Sequence, residues 1–562
     1  MRVLDFFCGA GGFSEGFRQC GFKIVQGYDH WKPAIDTFNY NFNLSCRPTN
    51  ILDFNDIEKI ENLPDTEIII GSPPCVSFSN SNNSGKADKS HGIQLIKIYL
   101  KIIALKKFKK KSKLKAWFME NVPNSKKHLP DYFTFDDLGL SQWCKKNGHS
   151  PDDIAITLST NSFILNSADF GSYQSRIRVF TGEVISSRGS KLSEILKIES
   201  KKKYENTIGK FFTKFPDPMI NCEYLNFVKD PQYKLKIPKE ELTDHFYDTG
   251  VYKIEWEKAK FLKINHPYMG KMSFPENLSK PSRTITATLT PHSRESLLYK
   301  SSLNRVGNGE FRTPTLREAA IFMGFPITFQ FLGGENTKWR LVGNAVSCSV
   351  SRALAKSVIA CFNVHLKSKL NISTNKNIEK IQNLNTFKIK EFNDPPIRKI
   401  GSRFRMHPIK DGNITVTLSN YCIKSNSKFN GRWYTSIQYG NGHGFPIQNV
   451  KDGIFNELDS LILSLEKGKE FLHIINNGFS GKIPNGKKLQ TLYEKNINQS
   501  NYVNPTELIS SISQIIQKLN IPEKYISKNE VNIFKFKEKI PAKQVFALYA
   551  INKITSIANA KK

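Results

Sequence analysis

The chain has 562 residues, 39% of them hydrophobic and 12% aromatic, which is enough apolar side chain for two or three packed domains and too much for a disordered polymer. Its formal net charge of +32 and pI of about 9.6 suit a polyanionic partner, because each neutralised phosphate releases counterions. Nine cysteines stand singly, with no Cys-x-x-Cys pair and no zinc-like spacing, and no apolar run approaches the roughly 20 residues of a membrane span; a cytoplasmic protein with no disulfide framework, structural metal or membrane partner is expected.

From the N-terminus, Arg2 to Phe7 reads as a buried strand and Gly11 to Cys20 as a helix entered through a glycine turn. A strand over Lys23 to Gly27 and a helix over Lys32 to Phe42 follow, then strands at Glu67 to Gly71, Ala116 to Met119 and Ile154 to Leu158, with a helix over Ile93 to Leu105. Such alternation predicts a mostly parallel α/β sheet with helices on both faces, and chemistry at the carboxyl ends of its strands. Asp5, Asp29, Cys75 and Glu120 all fall at such ends, so one shared site is expected.

Between 186 and 312 the alternation is lost in a segment rich in Lys, Pro and aromatics, which reads as a separate small domain. Order returns in a helix over Thr315 to Met323. Trp339 to Val346 then leads into a last helix ending near Val364. A linker rich in Asn, Lys and Ile opens the block 366–562, expected to be an extra α+β domain; Gly431 to Pro446 reads there as a hairpin, followed by a helix over Asn456 to Lys467.

Pro73-Pro74-Cys75 closes the apolar run Ile68-Ile69-Ile70-Gly71, so two rigid rings fix the backbone just before a thiol. A glycine turn, Cys8-Gly9-Ala10-Gly11-Gly12, opens a helix N-terminus that suits a carboxylate, and Asp29 beyond the second strand is placed to accept from a ribose diol. Asp5 to Phe13, Pro73-Pro74-Cys75, Glu120-Asn121-Val122 and Gln174-Ser175-Arg176-Ile177-Arg178 occur in that order. Together they resemble the ordered motifs of the DNA (cytosine-5) methyltransferase family, over residues 1–185 and 313–365.

The resemblance implies an S-adenosylmethionine-dependent, Rossmann-like fold whose last motif helix packs back beside the first strand. It implies a catalytic domain at 1–185 and 313–365, with 186–312 as an inserted target-recognition domain in which Thr284-Ile285-Thr286 fits. Phe7 and His30 would contact the cofactor's adenine, and Asn50 or Asp53 would accept from its amino group. Asp5, Gly9, Gly11, Asp29, Pro73 and Asn344 complete the implied cofactor set. Cys75 would add to C6 of a flipped cytosine, Glu120 would act on N3, and Arg176 with Arg178 would hold the ring carbonyl. The polar loop Val76 to Gly92 would close as a lid. The implied partner is double-stranded DNA, methylated by a monomer beside a restriction endonuclease that acts on the same site.

Two rivals are an RNA methyltransferase and a non-catalytic DNA-binding protein on the same scaffold. For 366–562 the alternatives are accessory DNA binding and a fused nuclease. The run Lys106 to Lys115 reads either as a solvated charge cluster or as a phosphate contact.

Overall fold

The computed structural model describes residues 1–74, 90–185, 192–200, 205–218, 225–242, 244–265, 270–367, 398–406, 410–411, 414–421, 430–439, 447–527, 533 and 539–560. The chain divides into two compact units, Met1–Phe392 and Asn393–Lys562.

The strands of the first unit are β1 (Arg2–Phe6), β2 (Lys23–Tyr28), β3 (Ile68–Gly71), β4 (Ala116–Asn121), β5 (Tyr132–Thr134), β6 (Ile154–Thr157), β7 (Ser162–Asn166) and β8 (Ile177–Val184). Six of them form one sheet in the order β2-β1-β3-β4-β8-β7. The four on the β2 side are parallel, β8 pairs antiparallel with β4, and β7 pairs antiparallel with β8. The strand expected at Ile154 to Leu158 is present as β6 but lies outside this sheet, where it pairs with β5. Its apolar residues mark it as a strand, and only distant pairing decides which sheet it joins.

Helices α1 (Gly12–Gln19), α2 (Lys32–Phe42), α3 (Ile57–Glu61) and α4 (Ser90–Phe108) follow or join the parallel strands. Alternate strand residues explain the continuous apolar runs, since both faces are covered. Leu4, Phe6, Ile69, Trp117 and Met119 pack in one core with α4. Val3, Ile68, Ile70 and Phe118 pack in another, with Phe13 and Phe17 of α1 and with Val350, Leu354 and Val358 of the helix Cys348–Phe362. That helix lies on α1, where the Ser351 hydroxyl donates to the Phe13 carbonyl. The segment Trp339 to Asn344, read as a lead-in, belongs to a helix of its own, Glu335–Asn344.

Described residues of 205–312 share a core with the returning chain: Ile208, Phe211, Val228 and Leu242 pack in one cluster with Leu316, Phe322, Phe325 and Trp339. Buried ion pairs bolt the parts together. Arg317 Nε reaches Asp244 Oδ1 at 2.9 Å, and Arg312 Nη1 reaches Glu318 Oε2 at 2.8 Å. Val251, Trp256, Ala259, Leu298 and Phe311 form a smaller core beyond.

The second unit has a five-stranded antiparallel sheet built on Ile414–Ser419 and Tyr434–Tyr439. Tyr434–Tyr439 also pairs antiparallel with Ile447–Val450, and a helix at Phe455–Leu463 follows. The long helix Ala542–Ala560 covers one sheet face; Val416, Ile437, Phe546 and Ile554 share the core.

Candidate active site

Parallel pairing aligns the carboxyl ends of β1, β2, β3 and β4 along one edge of the sheet. At the end of β1 the chain turns abruptly. Phe7 has φ 55 and Gly11 has φ 98, left-handed conformations that strain the first residue and suit the second. The turn is held by Asp29, whose Oδ2 accepts from Gly9 N at 3.0 Å while its Oδ1 accepts from Trp31 N at 2.9 Å. Asp5 faces α1, fully buried, and its Oδ2 accepts from Ser14 Oγ at 2.7 Å. Its Oδ1 has no partner among the described residues, and burial pushes the carboxyl up to about 8.

The next strand end is tied into the first. Ser72 N donates to the Phe6 carbonyl at 3.1 Å and Ser72 Oγ to the Phe7 carbonyl at 3.0 Å. The register that sets Gly71 beside Met119 carries Pro73 level with Asn121. Asn121 Nδ2 donates to the Pro73 carbonyl at 3.3 Å, so β4 holds the peptide that leads toward Cys75. Cys75 itself and the lid residues 76–89 lie outside the described residues.

Glu120 pairs across the sheet with Phe180, and a period of two puts Arg178 on the same face as a diagonal neighbour. Arg178 Nε stands 3.1 Å from Glu120 Oε1. Burial pushes the Glu120 carboxyl up, while first Arg178 and then Arg176 pull it down. Arg176 is used differently from Arg178: its Nη1 donates to the Ile285 carbonyl at 3.2 Å and its Nη2 to the Gly343 carbonyl at 3.1 Å. Gln174 is also buried, and accepts from Ile285 N at 3.4 Å. Ser175 N bonds the Ser282 carbonyl at 2.8 Å, and Ser282 N the Tyr173 carbonyl at 2.7 Å. The Gln-x-Arg-x-Arg segment therefore fastens Ser282–Ile285 to the sheet and presents Arg178 to Glu120.

Asn50 and Asp53 are both exposed, near the Asp29 turn, where Thr49 N bonds the Asp29 carbonyl at 2.8 Å. The Asn50 side chain accepts from Leu52 N at 3.1 Å and caps a short 3-10 turn, and Asp53 lies within that turn. The His30 side chain is 76% exposed with Nδ1 3.6 Å from Asp29 Oδ1, and Asn344 is exposed at its helix end. Lys106 and Lys109 pair with Asp65, Lys107 with Glu183, and Lys115 lies over the Phe362 ring. That run precedes β4 and so sits at the edge opposite the site.

Ser14, Ser72 and Asn121 support the site without having been singled out by sequence. Ser14 and Ser72 carry no signal of their own, whereas Asn121 lies inside the Glu-Asn-Val motif and the register with Pro73 gives it a task.

A profile of the C-5 cytosine-specific DNA methylase family matches residues 1–360. Type II methyltransferase M.HgiDI of Herpetosiphon aurantiacus is 26% identical over 378 residues, which span 65% of this chain and 96% of that protein. Type II methyltransferase M1.HphI of Haemophilus parahaemolyticus is 27% identical over 379 residues, 64% of this chain and 87% of that one. A stretch of 110 residues is 40% identical to type II methyltransferase M.HgiGI of Herpetosiphon aurantiacus, covering 18% of this chain and 82% of the relative. With a glycine turn, an Asn-tethered proline pair and a buried glutamate beside an arginine on one sheet edge, and a family profile over most of its length, the chain belongs to the C-5 cytosine-specific DNA methylases.

Proposed function

We propose that the enzyme is the modification partner of a type II restriction–modification system, using S-adenosylmethionine to methylate C5 of a cytosine extruded from a short duplex site. The observation that supports this most is the Asn121–Pro73 hydrogen bond, which ties the Glu120 strand to the peptide running into Cys75.

The residues present fit the cofactor. A Cβ placed on Gly9 meets nothing within 4 Å, so the turn stands open to a ligand. The buried Asp5 Oδ1 has no hydrogen-bond partner among the described residues, and the Asp29 oxygens have lone pairs left beyond the two backbone bonds they accept. Asp29 would take the ribose hydroxyls, the Gly9–Gly11 turn the amino-acid end, Phe7 and His30 the adenine, and Asn50 or Asp53 its amino group. When bound, the cofactor supplies a methyl group on a positively charged sulfur.

C5 of cytosine is a weak nucleophile until the ring's aromaticity is broken. The Cys75 thiolate forms a bond to C6, and the displaced electrons gather on N3 and the ring carbonyl. Glu120 delivers a proton or hydrogen bond to N3, which is why a carboxyl held up by burial is useful there. Arg178 donates to the carbonyl oxygen, and Arg176 acts through position, holding Ile285 and Gly343 in place. After C5 has taken the methyl group, the C5 proton leaves to a base, the C–S bond breaks to return the thiolate, and N3 gives its proton back to the Glu120 carboxylate.

A base inside a duplex is out of reach, so flipping at a cost of a few kcal/mol precedes these steps. A duplex carrying 5-fluorocytosine at the target tests the reading, because fluorine cannot leave as the proton does. Wild type is expected to accumulate a covalent adduct through Cys75, and Cys75→Ser none. An adduct at another residue overturns the assignment, and methylation of tRNA but not DNA overturns the substrate.

A further inference from the structure

The protein carries two lysine clusters flanking β4, and the fold treats them oppositely. Before the strand, Lys106, Lys107 and Lys109 are neutralised by Asp65 and Glu183, leaving Lys110, Lys111 and Lys113 exposed at the edge away from the site. After the strand, the 3-10 turn Pro123–His128 exposes Lys126 and Lys127 on the edge that carries Glu120. Among the described residues, the ion pairs of the first cluster have no counterpart at Lys126 or Lys127.

The turn is held at its start, and the chain just beyond it is tied to the residues after β6. Ser125 N and Oγ both donate to the Val122 carbonyl, at 3.0 and 2.7 Å, and Leu158 N and Ser159 N bond the Asp131 carbonyl at 2.7 and 3.0 Å. A rise of about 2.0 Å per residue in a 3-10 turn, after two strand residues of about 3.3 Å, keeps Lys126 within roughly 15 Å of Glu120. That is a few nucleotides of duplex at about 3.4 Å per step on one strand.

We infer that Lys126 and Lys127 bind backbone phosphates of the duplex beside the extruded cytosine, clamping the DNA against the catalytic edge. The inference rests on the DNA reading of the site. Phosphate contacts position a duplex without reading sequence, so the pair sets affinity and register while the choice of site is made elsewhere.

The test compares two double variants of equal charge change, Lys126→Ala/Lys127→Ala and Lys110→Ala/Lys113→Ala, in the full chain. DNA affinity is measured against salt for a duplex containing the methylated site, together with methyl-transfer kinetics. Each phosphate contact contributes about 0.9 to the slope of log K on log salt. The first variant is expected to lower that slope by about 1.8 and raise KM for DNA at least tenfold, with kcat within about twofold of wild type. Lys126→Arg/Lys127→Arg is expected to restore the slope, and the Lys110/Lys113 variant to match wild type. An unchanged slope in the first variant, or an equal fall in both, overturns the inference while methyl transfer stands. Wild type that transfers no methyl group to DNA overturns the reading beneath it.

Discussion

Glu120 is held between two opposed influences, burial that favours its neutral form and the Arg178 guanidinium that favours its anion. In the proposed mechanism Glu120 is a general acid, which must be protonated when it acts, so kcat is expected to fall as pH rises through the Glu120 pKa. Arg178→Gln removes the larger of the two cations that pull the pKa down. The Glu120 pKa then rises further, and the alkaline limb of the kcat profile moves to higher pH, even though kcat itself is expected to drop by about 10²-fold with loss of the proposed contact to the ring carbonyl. Glu120→Gln abolishes that limb and costs about 10²–10⁴-fold in kcat. Steady-state kinetics followed upward in pH from the ordinary carboxylate range check both; a limb that stays in place in Arg178→Gln would remove Glu120 from the titration. Arg176 illustrates how far a motif reaches: its place in Gln-x-Arg-x-Arg was legible, but its commitment to the Ile285 and Gly343 carbonyls was not. Those partners lie 109 and 167 residues away in sequence.

Among elements, the parallel half of the sheet was readable because each strand is a local apolar run and each helix a local periodicity. Lys32–Phe42 has the bounds its sequence pattern predicts, while the helix expected over Ile93 to Leu105 runs from Ser90 to Phe108 and takes in the last three residues of the segment Val76 to Gly92 read as a lid. The antiparallel strands β7 and β8, and the removal of β6 to a separate pair, depend on long-range register that no local pattern carries. The same holds for the buried pair that joins Asp244 to Arg317 across 73 residues inside a shared core, whereas Arg312 and Glu318 meet locally at a helix start. One contact in this region offers a clean test. A Cβ on Gly343 would stand 2.3 Å from the Thr286 carbonyl oxygen, so the helix Glu335–Asn344 and the Thr284–Thr286 segment approach through a bare backbone. Gly343→Ala must push them apart or break the Arg176 bond to the Gly343 carbonyl. It is expected to cost about 1–3 kcal/mol by thermal or urea unfolding, and to weaken discrimination between target and non-target duplexes. Wild-type stability in this variant would overturn the close backbone approach.

At the scale of the whole molecule, the family profile ends at 360 and the first compact unit at Phe392, whereas Asn393–Lys562 has a core of its own around Val416, Trp433, Leu458, Phe471, Ile512 and Phe546. Every residue assigned to the chemistry lies in the first unit. A chain ended after Phe392 is therefore expected to fold, to transfer labelled methyl groups to DNA with kcat within about threefold of the full chain, and to keep its alkaline limb. Because each unit closes its own apolar core, cooperativity is expected to stop at the boundary, and calorimetry of the full chain should resolve two transitions, one of them shared with the truncated form. A truncated protein that folds but transfers no methyl group would give the second unit a part in catalysis. One that fails to fold would show that the cores are coupled. Retained kcat with a raised KM for DNA would place the second unit's contribution in duplex binding, consistent with its share of the basic residues and separable by salt dependence from the Lys126 and Lys127 clamp.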